Sequence, residues 1–313
     1  MTHAPTASSP PPNTMPNTTP NTTPNLRQRL ANRGLDGVTM LMLPALLFVL
    51  GVFVYPFLYG LVLSFNPLEG GGALANYQKF FSDPYLYRTI GATLWLAIPV
   101  TLISVTFAVP IAMRVRLMRN QRLLTTILVL PVTLGTVLVA EGLLNYLGPQ
   151  GWFNRTLVTI GLLDAPIRLT NNYWGVFASL VITVFPFTFL LTLSYVTGID
   201  PALERAAATH GASSWQRFRH VMMPLLVPGL VVASCLTFVQ AFAVFPSAVL
   251  LGAPSGPTRV ISIAAAQAAF EQYDDSMASA IAMIMAAVQL LVVTALLGMR
   301  SFFYRGSTAG GKG

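Results

Sequence analysis

Residues 173–196 read YWGVFASLVITVFPFTFLLTLSYV, a run without one charged side chain. A helix rises about 1.5 Å per residue and the hydrocarbon core of a bilayer is about 30 Å thick, so a run of this length spans it. Pro186 lies in its middle. In an isolated soluble helix that proline would break the hydrogen-bond ladder, whereas in a membrane bundle neighbouring helices satisfy the freed carbonyl. Five further runs have the same character: Val38 to Phe65, Thr89 to Met113, Leu123 to Leu147, Leu226 to Leu251 and Met277 to Met299. The sequence therefore predicts an all-α integral membrane protein with six transmembrane helices. Pro44, Pro56, Pro99, Pro110, Pro131, Pro228 and Pro246 also fall inside the runs, and kinked spans suit a protein that opens and closes.

Composition agrees. Of 313 residues, 54% are hydrophobic and only 9% are charged, with a mean hydropathy of +0.65. Soluble domains carry about 25% charged residues, so lipid must be the solvent for much of this chain. The net charge of +8 does not indicate nucleic acid, because the arginines sit in short gaps between apolar runs rather than on one basic face. Cys235 is the single cysteine and lies in an apolar run, which excludes an internal disulfide and suits a small packing residue.

The gaps set the orientation. With the N-terminus inside, the cytoplasm receives Arg27, Arg29, Arg33, Arg114, Arg116, Arg119, Arg122, Arg205, Arg217, Arg219, Arg300, Arg305 and Lys312. The outside keeps Lys79, Arg88, Arg155, Arg168 and Arg259, together with Glu271, Asp274 and Asp275. By the positive-inside rule both termini are expected in the cytoplasm. Residues 1–34 are expected to form a disordered cytoplasmic tail, since Ala4 to Pro24 is rich in Pro, Ser, Thr and Asn with almost nothing apolar to pack. A six-span domain is then expected over residues 35–304, followed by a cytoplasmic tail over 305–313.

The stretch between the fourth and fifth runs, residues 199–225, carries the most information. Asp200-Pro201 is a helix start: a carboxylate to cap free N–H groups, then a proline at the first helical position. An Ala-rich turn follows, and Gly211 stands where a helix would end in a left-handed cap. Ser213 or Ser214 can cap a second helix, Trp215 to Met222, which Pro224 is expected to close. Two short helices joined at a glycine would form a knob on the cytoplasmic face.

This stretch resembles the signature loop of binding-protein-dependent ABC importer permeases. That pattern is Glu-Ala-Ala, three residues, Gly, nine residues, an aliphatic, one residue, Leu, Pro. Gly211 to Pro224 keeps the spacing, with Val221 as the aliphatic, Met223 in place of Leu, and Ala206-Ala207 as the alanine pair. The position of the glutamate is held by Arg205, with Glu204 one residue earlier. Other matches are Tyr55-Pro56, Ser64-Phe65, Asn76-Tyr77, Leu130-Pro131 and the stretch from Leu147 to Asn154.

The resemblance implies a type I importer permease fold. It implies no nucleotide site in this chain, consistent with the absence of a Gly-x4-Gly-Lys-Ser/Thr loop from the sequence. It also implies partners: cytoplasmic ABC ATPase subunits, a second permease subunit of the same or a related chain, and an extracytoplasmic solute-binding protein at a bacterial inner membrane. Candidate ATPase-coupling residues are Glu204, Arg205, Ala206, Ala207, Gly211, Trp215, Phe218 and Pro224. Trp215 and Phe218 would be apolar anchors in the ATPase cleft, rimmed by Arg217 and Arg219.

For the solute path, polar groups inside spans are the candidates, since they are costly unless they face partners or water. These are Glu141, Gln240 and Gln289. Glu141, about 9 Å from the outer end of its run at helical rise, fits either a cavity lining that favours a cation or a structural or gating role. The run Ala207 to Ser213, Pro224 to Gly229 and Phe245-Pro246 look most like permeases of the spermidine/putrescine type, so a polyamine-like amine is favoured. Sugar, iron(III), thiamine and aminophosphonate are the alternatives within the class. An ion-coupled secondary transporter is the alternative outside it, but that class calls for an intramembrane acid–base relay and inverted repeats. No cofactor is expected, and His210 and His220 read as exposed helix-end residues rather than metal ligands.

Overall fold

In a computed structural model of the chain, residues 37–68 and 70–303 are described, with side chains over 42–68 and 70–298. The expectations for the tails, residues 1–34 and 305–313, lie outside or almost wholly outside the described residues.

Every described regular element is helical. Helix α1 (Gly37–Ser64) is the first span. Residues up to Phe57 form one unit and those from Leu58 onward another. Between Met42 and Phe57 the side chains of α1 are exposed and mostly apolar. A short amphipathic helix, α2 (Ala75–Ser82), precedes the second span, α3 (Pro84–Val115). Asp83 caps α3 by accepting a hydrogen bond from the Tyr85 N–H at 2.8 Å, with Pro84 in the first turn. The third span is α4 (Gln121–Leu147), followed by the short α5 (Trp152–Thr159) and the fourth span α6 (Tyr173–Thr197).

After α6 come α7 (Pro201–Thr209) and α8 (Ser214–Arg217). A π-helical turn, Phe218–Met222, carries α8 directly into α9 (Met223–Phe242). The chain ends with α10 (Pro246–Leu251), α11 (Ile261–Ala266), a second π-helical turn (Gln267–Glu271) and the sixth span α12 (Asp275–Phe303). Six helices are long and apolar enough to cross a membrane, and each of the six apolar runs maps onto one of them.

Within the larger unit, α3, α6 and α9 form the packed centre, with α4 against α6 and α12 against α9. Two apolar clusters fill it. One, around Ala108, Val115, Phe189, Val196 and Leu226, lies at the end that carries α7 and α8. The other, around Phe80, Leu96, Phe238, Phe242, Ile261 and Ile281, extends toward the opposite end. Hydroxyl pairs cross between helices within this core, Thr188 with Thr237 and Ser179 with Ser247, each at 2.8 Å. Such pairs in lipid contribute roughly 0.6 kcal/mol each, so close packing rather than hydrogen bonding holds the helices together.

Two expectations about the fifth span are corrected. The helix does not run from Leu226 to Leu251: it begins upstream and stops at Phe242, and α10 is a separate short helix. Pro246 has no N–H to donate, and its ring would collide with the Phe242 carbonyl, so it starts α10 instead of continuing α9. Nor does Pro224 close the second loop helix. The π-helical turn before it, with the Met223 N–H bonded to the Phe218 carbonyl, re-registers the ladder so that Pro224 falls in the first turn of α9. The knob is therefore an extension of the fifth span.

The third span matches its expected bounds but is interrupted. Gly135 has φ 76° and ψ 161°, a backbone region open essentially only to glycine. Pro131 four residues earlier has no N–H to hold the preceding turn.

Candidate functional site

The knob is built from local chemistry. Asp200 accepts the Ala202 N–H at 2.8 Å and starts α7. At its other end Gly211 takes φ +80°. The Gly211 N–H then bonds to the Ala208 carbonyl at 3.0 Å and the Ala212 N–H to the Ala207 carbonyl at 3.1 Å. These are the paired bonds of a glycine helix stop, and they satisfy carbonyls that would otherwise be bare. Ser213 and Gln216 form a reciprocal cap on α8: the Gln216 N–H donates to Ser213 Oγ at 3.3 Å, and the Ser213 N–H to Gln216 Oε1 at 2.8 Å. Both ends of α7 and the start of α8 are thus held by local caps.

What the knob shows to solvent is specific. Trp215 is 64% exposed, with its ring 5.5 Å from that of Phe218. Arg205, Ala206, Arg219 and Pro224 are exposed, and Ala207 is half-buried. Phe218 faces the other way: it is half-buried against the cluster of Val115, Val196 and Leu226, and so anchors the knob to the spans. His210 is exposed at the end of α7, and His220 Nδ1 lies 3.1 Å from the Gln216 carbonyl. Among the described residues no group of three or more His, Cys, Asp or Glu side chains comes together.

Glu204 is also turned inward. It forms an ion pair with Arg116, the residue that ends α3. Arg116 Nη1 also reaches the Val196 carbonyl near the end of α6 at 3.5 Å. One guanidinium thus joins the second span, the fourth span and the knob. Sequence reading counted Arg116 only as one of the arginines that set orientation. Nothing local marks it, because its partner lies 88 positions away.

At the opposite end, three polar knots close the bundle. Asn76 is buried and donates to the Ser64 carbonyl at 3.1 Å and to Ser276 Oγ at 2.6 Å, while Ser64 Oγ meets the Tyr77 hydroxyl at 2.8 Å. Asn154, fully buried, shares its amide N–H groups among the carbonyls of Leu147, Gly148 and Ile167 and accepts the Ile167 N–H. The pairs Ser64-Phe65 and Asn76-Tyr77, and the stretch ending at Asn154, are thereby structural fasteners. Arg259 is the third. It donates to Gln267 Oε1 at 2.6 and 3.0 Å and to the Tyr85 carbonyl at 2.8 Å, with its guanidinium 3.8 Å over the Tyr85 ring. Burial pushes this guanidinium below the ordinary arginine pKa, opposed by Tyr85, Asp83 and Glu271.

The three solute-path candidates are placed separately. Glu141 is exposed on α4, beyond the break at Gly135, with Asn145 Nδ2 3.3 Å from its Oε1. Gln240 is exposed on α9. Gln289 donates to the Val239 carbonyl at 3.0 Å and so ties α12 to α9. No hydrogen bond joins any two of the three among the described residues.

Six helices long and apolar enough to cross a membrane, with a self-capped polar knob leading into the fifth, define a multi-span membrane protein. Residues 119–303 match the family model described as the binding-protein-dependent transport system inner membrane component. The chain belongs to that family and is a multi-pass inner-membrane protein.

Among similar proteins is the spermidine/putrescine transport system permease protein PotB of Haemophilus influenzae, 30% identical over 205 residues, which are 63% of this chain and 71% of that one. The probable sulfate transport system permease protein cysT of Prototheca wickerhamii is 30% identical over 176 residues, covering 56% of this chain and 67% of that one. In fold the chain resembles a subunit of the bacterial alginate ABC transporter crystallised with its alginate pentasaccharide-bound periplasmic protein. The TM-score is 0.75 at 24% identity, over 90% of this chain and 99% of that one.

Proposed function

We propose that this chain forms half of the translocation pathway of an ATP-driven importer and is driven by separate ATPase subunits docking on the knob of residues 199–225. The observation that carries this is the rigid continuity of the knob with the spans. α8 passes through a π-helical turn directly into α9, Phe218 is half-buried against the cluster of Val115, Val196 and Leu226, and Glu204 is paired with Arg116 at the end of α3. A push on Trp215, Arg205 or Ala206 is therefore delivered to three spans at once. In this reading the knob and both termini lie in the cytoplasm, which the arginine distribution supports. A second permease subunit covers part of the exposed apolar surface, and an extracytoplasmic binding protein delivers the solute. ATP binding biases an inward-to-outward equilibrium by differential affinity.

The solute favoured is a small amine of the polyamine class. The similarity to a spermidine/putrescine permease supports it, as does Glu141, the one acid well inside a span. The test is a thermal-shift screen of the binding protein encoded beside this permease against polyamines, sulfate, sugars, ferric iron, thiamine and aminophosphonates. Stabilisation by polyamines is the expected result. Stabilisation by sugars or sulfate alone would sink the amine assignment and leave the importer reading intact.

A further inference from the structure

Beneath α7 a cleft of about 380 Å³ opens between the ends of α3 and α6 and the knob. Three guanidiniums line it, those of Arg116, Arg205 and Arg217, against the single carboxylate of Glu204. The Arg116 side chain is only 9% exposed. Its terminal nitrogens serve Glu204 and the Val196 carbonyl, but its Nε is buried with no hydrogen-bond partner among the described residues. Arg217 repeats the pattern: Nη2 donates to Ser214 Oγ at 3.0 Å, and Nε is buried with no such partner. Two desolvated cationic donors in one cleft are unfavourable unless an acceptor reaches them.

The chemistry that fits is a phosphate. Its oxygens accept from several guanidinium N–H groups at once, and the planar fork of arginine matches that geometry. The place in the chain also fits: α3 ends at Val115 and α6 at Thr197, so the cleft lies where two apolar spans give way to a basic polar loop, the kind of region in which a membrane protein meets lipid headgroups. Leu117, 76% exposed, and Ile199 give the same cleft an apolar wall. Basic pockets between spans are known to take anionic headgroups.

We propose that this cleft binds an anionic phosphate group between Arg116, Arg205 and Arg217, supplied by the headgroup of an anionic membrane lipid. The bound phosphate neutralises the excess positive charge and ties the knob to the ends of the second and fourth spans. The proposal rests on the membrane placement of the chain and not on the importer reading.

The test is native mass spectrometry of the full-length chain, released from nanodiscs of phosphatidylcholine with or without phosphatidylglycerol. Wild type is expected to retain phosphatidylglycerol selectively. In Arg205→Gln/Arg217→Gln the affinity should fall by about tenfold or more, the loss of one or two charge-assisted bonds. Arg119→Gln/Arg122→Gln, which alters arginines outside the cleft, should retain the lipid as wild type does. Melting curves of both variants separate lost binding from lost folding. Displacement of the retained lipid by inorganic phosphate alone would assign the same site to free phosphate. Undiminished retention of phosphatidylglycerol in the cleft variant overturns the proposal.

Discussion

Arg116 and Glu204 show how one pair can decide whether a movement is transmitted. The pair is partly buried: exposed ion pairs contribute under about 1 kcal/mol, and breaking a fully buried one costs about 3–5 kcal/mol. A cost on the order of 1–3 kcal/mol is expected for Glu204→Gln, taken mostly from the seating of α7. In an assembled transporter that variant should keep basal ATP hydrolysis and lose much of its stimulation by loaded binding protein. The exchanged double variant Arg116→Glu/Glu204→Arg should regain part of it; no recovery in the exchange would show that the pair does not act as a joint. Gly211→Val forces a β-branched residue to φ +80°, a penalty of about 1–2 kcal/mol that removes the helix stop. Solute uptake should be lost while the melting temperature of the spans changes little; normal uptake would contradict the role given to the knob.

These residues also mark what a sequence can reveal. Asp200, Gly211 and Ser213 were legible because a cap is chemistry among near neighbours, and all three act as expected. Arg116 was not, since nothing within its own stretch distinguishes it from Arg114 or Arg119. The inward turn of Glu204 and Phe218 depends on the same long-range packing. Both are ATPase-coupling candidates of the sequence; in the isolated chain they are partly buried, while Trp215, Arg205 and Ala206 are exposed.

At the level of elements, the third and fifth spans carry the departures from regular helix. The length of the apolar runs located both, yet it could not show that Pro246 begins a new helix or that a π-helical turn absorbs Pro224. The positions of those prolines were visible, but the re-registered hydrogen bonds that accommodate them were not. In α4 the break at Gly135 sets the direction of the segment that bears Glu141 and packs Ala140 against the core. Gly135→Ala places a side chain in a conformation costing on the order of 1–3 kcal/mol. Relief by straightening the helix would rotate Glu141 away from its present face. Reduced uptake with unchanged assembly is expected, and transport at wild-type rate would exclude the break from the working cycle. At the opposite end of the bundle, Asn76→Ala leaves the Ser64 carbonyl and Ser276 without their donor. It should lower the melting temperature of the purified chain in detergent and leave coupling intact once folded.

For the whole molecule, the distribution of exposure is the main evidence about assembly. The apolar side chains of α1 between Met42 and Phe57 and most of those of α4 between Leu130 and Leu138 are exposed, whereas α6 is largely buried. The exposed apolar surface requires lipid or another subunit, and under the proposed reading both contribute. Glu141 lies on one of these helices, so its surroundings are completed only by what covers α4. Glu141→Gln removes the charge with little change of shape. If an amine passes this residue, uptake should fall severalfold while stimulated ATP hydrolysis persists; equal losses of both would make Glu141 a gating or structural residue instead.

The most direct test of the account is ATP hydrolysis by the transporter reconstituted in proteoliposomes, with and without loaded binding protein, comparing wild type with Trp215→Ala. Trp215 is exposed, its ring meets that of Phe218, and among the described residues it belongs to neither core cluster, so its loss is expected to leave the spans intact. The account predicts strong stimulation in wild type, and in the variant a weakened association with the ATPase together with a large loss of stimulation. Full stimulation and normal ATPase binding in Trp215→Ala would contradict the assignment of this knob as the surface through which ATP drives transport.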